Sequence, residues 1–475
     1  MKTFTALALI GILFFCALSV SMAGAAVVEI ENEFVAKLQN GVNPADVWPP
    51  DRAGIQDSIP GMGIFLVEYL PGTDKADILD TLAKNPFVEF AEPNYLMEFP
   101  ENFQMSISFP DESRPTYLMG VSPESFYTQP ADYDLGITQA QLLSTGAGVT
   151  VAVIDNGLDF NHPMFAAANL IPGRDIIDND NDPTDEGGSA YGHGTFVTGL
   201  ILLAAPDCNI LPIKAFDGDG IGTSFDAARA IRWAATHGAD VINMSFGMEI
   251  ASAAIEDAID FTKDRDVIMI AASGNESLTV PIYPAAFPGV LAVSAIDEDE
   301  YIAEFSNYGN FIDVCAPGVN LYSALAGEYN WGTWSGTSFS APLVAAGCAM
   351  AKAENPDISA GEMIMHVRST ARRELDWGLI TPPSFEYGNG CIDIYELVST
   401  IHDFDGVACG DADGNGIVNP ADANYIVRFV FKGGKPPVSM RAADVNCDNS
   451  VNQADATYLL NYLIKNGTPP CCIFK

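Results

Sequence analysis

The sequence predicts an α/β protein whose main body, residues 131–402, is a doubly wound and mostly parallel sheet with a smaller unit on either side. Three observations carry that prediction. Between residues 131 and 402, apolar strand-like runs alternate with helical stretches, the pattern of strand–helix–strand crossovers. Upstream, residues 27–100 mix short β-rich runs with one amphipathic segment, which reads as a small α+β unit. Downstream, residues 409–475 contain one segment twice, each copy a polar loop followed by an apolar helix, expected at Tyr425–Phe431 and Tyr458–Ile464. A length of 475 residues accommodates about three domains. An apolar content of 48% supplies a sizeable core and excludes a wholly disordered chain.

Acidic residues outnumber basic ones 62 to 22, a formal net charge of −40. Such a field repels phosphate backbones, so nucleic acid is excluded as a natural partner; bound cations or a salty medium fit it better. The excess lies upstream of the tail, because 409–475 holds six acidic and six basic residues.

Residues 1–25 read as a signal peptide: Lys2, then the apolar run Ala6 to Val20, then small residues from Ser21 to Ala25. The run sits near the lower limit for spanning a bilayer, and Cys16 follows Phe15, which does not suit a lipid anchor. The expectation is a secreted chain with no membrane span once the signal is removed, against the alternatives of a buried helix or an anchor. In 27–100, Gly63 to Tyr69 is strand-like and Lys75 to Lys84 amphipathic. Residues 101–130 carry Pro110, Pro115, Pro123 and Pro130 without a clear period and read as a linker. In 131–402 the strands are expected at 149–154, 241–244 and 267–271, with helices at 224–236 and 343–352. Beyond Cys16 there are Cys208, Cys315, Cys348, Cys391, Cys409, Cys447, Cys471 and Cys472. In an oxidising compartment these could form bridges, their pairing left open. Cys348, inside an apolar helical run, reads as a buried thiol, and no CxxC spacing suggests zinc.

Open α/β sheets place their sites at the carboxyl ends of strands. Asp155 closes an apolar strand, His193 sits in a Gly-flanked turn into a helix, and Ser338 stands just before another helical run. A serine hydroxyl is a weak nucleophile. It needs an imidazole to take its proton, a carboxylate to orient that imidazole, and N–H donors for the developing oxyanion. A helix N-terminus supplies such donors. Taken singly, each residue is as well read as a cap or turn residue.

The segments VAVIDNGLD, GHGTFVTG and SGTSFSAP resemble the three signatures of the subtilisin-like serine peptidases, in family order, over about 131–402. The resemblance implies a subtilisin-like fold, hydrolysis of peptide bonds in protein or peptide substrates through an acyl-enzyme, and a triad of Asp155, His193 and Ser338. It further implies Asn275, in Ala272-Ser273-Gly274-Asn275-Glu276, as the side-chain donor to the oxyanion. Asn243 to Gly247 resembles the strand that pairs with substrate, and Ile282 is expected at the base of the pocket for an apolar residue. The sequence departs from the family pattern at Asn156, Thr198 and Phe339. Residues 27–100 resemble the family's inhibitor-type propeptide, most clearly from Leu82 to Asn94, which implies a zymogen inhibited by its own N-terminal segment and processed within 100–130.

Two further acidic features point to hard cations. Asp178, Asp180, Asp182 and Asp185 alternate in a loop before His193 that could hold Ca²⁺ or be simply solvated. In the tail, the first loop offers Asp411, Asp413, Asn415, the Ile417 carbonyl, Asn419 and Asp422 at positions 1, 3, 5, 7, 9 and 12. The second, 33 residues later, offers Asp444, Asn446, Asp448, the Ser450 carbonyl, Asn452 and Asp455. Two such EF-hand-like ligand sets imply two Ca²⁺ ions. The duplicated loop and helix with Asp at position 12 resembles a type I dockerin, covering about 409–475. That implies docking onto a cohesin-bearing scaffold, in polysaccharide-degrading complexes or at the cell surface. Two competing readings are a catalytically inactive subtilase-fold interaction protein and a protease whose tail is only a calcium-dependent stabiliser.

Overall fold

Seven short apolar runs meet edge to edge in the main body. In spatial order they are Val314–Pro317, Val290–Ile296, Ile268–Ala272, Val241–Met244, Thr150–Asp155, Asn209–Lys214 and Asn169–Leu170; Arg174–Asp175 also pairs with Asn209–Lys214. Every pairing among them is parallel. The computed structural model describes residues 28–48, 53–70, 72, 74–99, 124–327, 331–375, 378–379, 384–402, 407, 409–446, 450–465 and 470. The expected signal peptide, most of the linker, and Cys447, Asp448, Cys471 and Cys472 lie outside the described residues.

The five strands from Val314–Pro317 through Thr150–Asp155 are buried at every residue, which explains their unbroken apolar character. Val151 and Val153 face one core, with the helices His193–Ala204, Thr337–Glu354, Ala360–Thr370 and Ile394–Ser399. Ala152 and Ile154 face the other, with Ser224–Thr236 and Ala253–Lys263. After Thr150–Asp155 the chain first builds the sheet on one side, with Asn169–Leu170, Arg174–Asp175 and Asn209–Lys214, and then on the other, at Val241–Met244. That reversal opens a crevice at the carboxyl end of Thr150–Asp155, beside Asp155.

The N-terminal unit is an antiparallel sheet in the order Ala53–Ile59, Ile64–Tyr69, Glu29–Leu38, Val88–Glu98, with the helix Lys75–Ala83 started by the Asp74 side chain. Its sheet does not end with itself. Ile221–Thr223 of the main body adds to Val88–Glu98 as a fifth strand, in the register Leu96↔Thr223, Met97↔Gly222 and Glu98↔Ile221.

Three helices differ from expectation. Thr337–Glu354 starts six residues before the predicted 343, so Ser338 lies within its first turn rather than ahead of it. In the tail, Pro420–Lys432 and Gln453–Lys465 begin before the expected Tyr425 and Tyr458. Asn419 caps the first of these and Pro420 is already at a first-turn position, where a missing N–H costs nothing. The two tail helices close over a small core of Ala412, Ala423, Ile426, Val445, Ala456 and Leu459. Cys208, Cys315, Cys348 and Cys391 are buried free thiols, and Cys409 is disulfide-bonded. Among the described residues, no helix is long and apolar enough to cross a membrane.

Candidate active site

Asp155 and His193 meet at the crevice. The carboxylate Oδ1 lies 2.8 Å from His193 Nδ1, and each side chain is 1% exposed. Excluded from water, this pair interacts far more strongly than it would at a surface, and it holds the imidazole in one orientation. The close approach depends on glycine: a Cβ on Gly194 would fall 2.2 Å from the Gly157 carbonyl oxygen and 3.1 Å from Asp155 Cβ. Asn156, the departure noted in the sequence, bridges the two turns. Its Oδ1 accepts from Gly194 N (3.0 Å) and its Nδ2 donates to the Ala190 carbonyl (2.9 Å).

Ser338 reaches the same crevice on the first turn of Thr337–Glu354. The ring of Phe339, the next residue, lies 5.4 Å from the His193 imidazole. Ser338 Oγ donates to the Ser245 carbonyl (3.1 Å), and Ser245 Oγ donates in return to the Ser338 carbonyl (2.8 Å). Pro342 gives the second bond its purpose. It stands four residues after Ser338 inside the helix and has no N–H to offer that carbonyl.

Asn275 is held at one end. Its Oδ1 accepts from Thr337 N and Thr337 Oγ1, each at 2.9 Å, and Gly274 N donates to the same hydroxyl at 3.1 Å. This orientation turns the Nδ2 end away from Thr337. Thr337 was not among the residues read from the sequence; its only signal there is its place immediately before Ser338. Ile282 is buried behind the wall of the crevice, where a Cβ on Gly247 would meet its Cγ2 at 2.3 Å.

A segment of the N-terminal unit occupies the crevice. Leu96, Met97 and Glu98 pair with Ile221–Thr223 on one side, and Glu98 bridges antiparallel to Gly247 on the other. Phe99 N donates to the Gly220 carbonyl (3.2 Å). Its ring stacks on His193 at 4.3 Å, packs against Phe216 at 4.7 Å, and is 1% exposed. Two side chains of the same strand cap helices of the main body. Asn94 Oδ1 accepts from Phe225 N and Ser224 Oγ, both 3.2 Å. Glu92 accepts from Ser252 Oγ (2.6 Å), Ala253 N (2.8 Å) and Ala254 N (3.0 Å). Burial holds the Glu92 carboxyl above its ordinary range despite those three bonds.

The tail loops have the chemistry of a hard-cation site. Ligand oxygens of Asp411, Asp413 and Asp422 lie within 4.8 Å of one another. Asp422 Oδ1 accepts from Asp413 N (3.2 Å) and Oδ2 from Asn419 N (2.9 Å). The second copy repeats this arrangement, with Asp455 accepting from Asn446 N (3.2 Å) and Asn452 N (2.8 Å). Burial raises the Asp422 carboxyl, and the neighbouring Asp413 and Asp411 add to the rise, so three carboxylates are crowded where a divalent cation would relieve them. In the other acidic loop, Asn179 and Asn181 are turned to Arg174, while Asp185 is turned inward and 7% exposed.

The chain is similar to known proteins in two separate stretches. The family model described as Subtilase family matches residues 146–390, and that of the Dockerin type I domain matches 409–464. A thermophilic serine proteinase of Bacillus sp. (strain AK1) is 34% identical over 334 residues, 68% of this chain and 75% of the relative. Halolysin of Haloferax mediterranei is 31% identical, covering 74% of this chain and 67% of its own. Subtilisin BL of Lederbergia lenta is 35% identical over 48% of this chain and 84% of its own. Among solved structures, fervidolysin from Fervidobacterium pennivorans superposes with a TM-score of 0.65 over 78% of this chain and 61% of that one, at 22% identity, a likeness of fold.

Proposed function

The chain belongs to the subtilase family and is a serine-type endopeptidase with a type I dockerin domain; from that premise we propose that it is secreted as a zymogen and anchored through its tail. In this reading Ser338 attacks the scissile carbonyl while His193 takes its proton and then gives it to the leaving amine. Asp155 orients His193 and stabilises its cation. Asn275 Nδ2 and the Ser338 backbone N–H receive the oxyanion, and water then hydrolyses the acyl-enzyme. For attack, Ser338 Oγ must exchange its bond to the Ser245 carbonyl for one to His193, a rotation about one side-chain bond.

The observation that carries the zymogen reading is Phe99 stacked on His193, with residues 96–98 laid as a strand in the crevice. A chain so seated blocks substrate and presents the bond to be cut just beyond it, within 100–130. The test is intact mass of the signal-less proprotein with calcium, beside its Ser338→Ala variant. Only the unaltered chain should shed its N-terminal segment and react with a serine-directed phosphonate. If neither chain changes and neither reacts, the interaction-protein reading takes its place.

In the tail, Asp411, Asp413, Asn415, Ile417, Asn419 and Asp422 would hold one Ca²⁺, and Asp444, Asn446, Asp448, Ser450, Asn452 and Asp455 a second. Bound calcium supplies the cross-link that fixes each loop to its helix. The proposed partner is a cohesin-bearing scaffold, with the enzyme held at an extracellular complex or cell surface. A second reading, the tail as a stabilising clamp, is favoured by one contact: Arg373 Nη1 donates to the Pro470 carbonyl at 3.4 Å. Deleting the tail separates them. A clamp predicts lost thermal stability, a connector unchanged stability and lost scaffold capture.

A further inference from the structure

We infer that Asp185 is a positioning residue for His193, a second carboxylate behind the triad that fixes the turn from which the imidazole projects. The inference rests on the proposed roles of Asp155, His193 and Ser338. Asp185 lies eight residues before His193 in a loop rich in acids, where its sequence context suggests solvent or a cation. The fold places it elsewhere. Its backbone N donates to the Leu158 carbonyl (3.2 Å) and Leu158 N donates to the Pro183 carbonyl (3.0 Å), so the loop is laced to the turn just after Asp155. A Cβ on Gly157 would fall 2.7 Å from the Pro183 carbonyl oxygen, which shows how tightly the two segments are drawn together.

From that position the side chain reaches both halves of the Asp155–His193 pair. Asp185 Oδ2 accepts from Gly192 N at 2.6 Å, the residue before His193 and the N-cap of its helix, with φ at 91°. The same oxygen lies 3.5 Å from Nδ2 of Asn156, the residue after Asp155. Oδ1 accepts from Gly187 N (3.2 Å). Gly192 N is a helix-start donor with no partner inside its helix, and a charged acceptor at 2.6 Å fixes it firmly.

The arrangement also sets the local field. The groups facing Asp185 are Asp155 and His193 across the turn and Tyr191 on its own loop, while the adjacent Glu186 is turned to Lys214 (2.9 Å). Burial pushes the Asp185 carboxyl up to about 6, opposed by the bonds from Gly192 and Gly187 and reinforced by the charge of Asp155. Above that pH it is an anion close to His193, and a nearby anion favours the imidazolium. Asp185 thus acts on the reaction through His193 in two ways, by orientation and by charge, without touching substrate.

The test uses the activated enzyme with its tail in place and its Asp185→Asn and Asp185→Glu variants, comparing kcat, KM, phosphonate labelling and the acid limb of kcat/KM. Asp185→Asn is expected to lose on the order of tenfold in kcat with KM unchanged. Its acid limb should move about half a pH unit lower, because an anion near His193 is gone. Asp185→Glu keeps the charge but displaces the acceptor, and should keep the parental limb with reduced kcat. Asp185→Asn with parental kcat and limb would overturn the inference. If Asp185→Asn does not fold, reduced kcat with a parental limb in Asp185→Glu still supports it, and parental kcat there assigns Asp185 to folding alone. A parent enzyme that the phosphonate does not label sinks the triad reading itself, which is a different result from any of these.

Discussion

Ser245 and Ser338 exchange hydrogen bonds across the crevice: each side-chain hydroxyl donates to the other residue's backbone carbonyl, at 2.8 and 3.1 Å. The Ser338 carbonyl is the one that Pro342 cannot serve within the helix, so Ser245 completes the helix and steadies its first turn at the same time. Ser245→Ala leaves that buried carbonyl without its donor, at a cost of about 1–3 kcal/mol. We expect a fall in thermal midpoint together with reduced kcat. A Ser245→Ala enzyme with both values unchanged would show the exchange to be incidental.

Phe99 places a buried ring between His193 and Phe216. Phe99→Ala removes burial worth about 3 kcal/mol from the seating of the N-terminal segment. The variant should leak activity against a small peptide before processing is complete, followed by gel and turnover in parallel. Leakage no greater than that of the unaltered chain would mean the strand pairing alone holds the segment.

Glu92 links release of that segment to pH. Its carboxyl is raised by burial at the start of the helix Ala253–Lys263, so the protonated form is favoured while the segment is seated. The contact is therefore at full strength below the ordinary carboxylate range and weakens as pH rises through the raised value. Release of the cleaved segment should quicken over that interval, and Glu92→Gln should flatten the dependence. An identical pH profile in both chains would rule Glu92 out as the source.

Calcium removal should act on the tail first. Chelation leaves Asp411, Asp413 and Asp422 crowded without a counter-charge, and the tail should unfold at a lower temperature than the main body. At calcium a hundredfold above its dissociation constant, binding at one site contributes about 2.7 kcal/mol. Calorimetry with and without chelator checks this, and Asp411→Ala, which disables only the first loop, should move the tail transition part of the way toward the chelated trace even in calcium. A tail transition indifferent to both treatments would exclude calcium as its support.

The buried thiols should be silent in the native enzyme. Burial pushes Cys208 and Cys348 up to about 12, where almost no thiolate exists near neutral pH. Alkylation followed by mass analysis should find both unmodified until the protein is unfolded. Labelling of either in the native state would contradict their placement in the core.

The chemistry was legible in the sequence because it is carried by local runs. Asp155 ends an apolar strand, His193 opens a helix between glycines, and the tail repeats one loop at a fixed period. Each of those features is written within a dozen residues, where strand period, helix start and ligand spacing act on near neighbours. The expected helix starts at 343, 425 and 458 erred late because caps and first-turn residues are polar and weakly periodic, whereas the apolar face becomes visible only one turn in.

Local patterns thus specify the parallel sheet, the order of the reactive residues and the paired loops of the tail. Which distant groups come within hydrogen-bond reach of one another is set by packing. Ser245 and Ser338 are 93 residues apart, and Glu92 caps a helix 161 residues downstream. Asp185, in an acidic loop that looks solvated, is turned behind His193. Such contacts depend on how whole elements stack, and no pattern within one element encodes the residue that will lie against it from another.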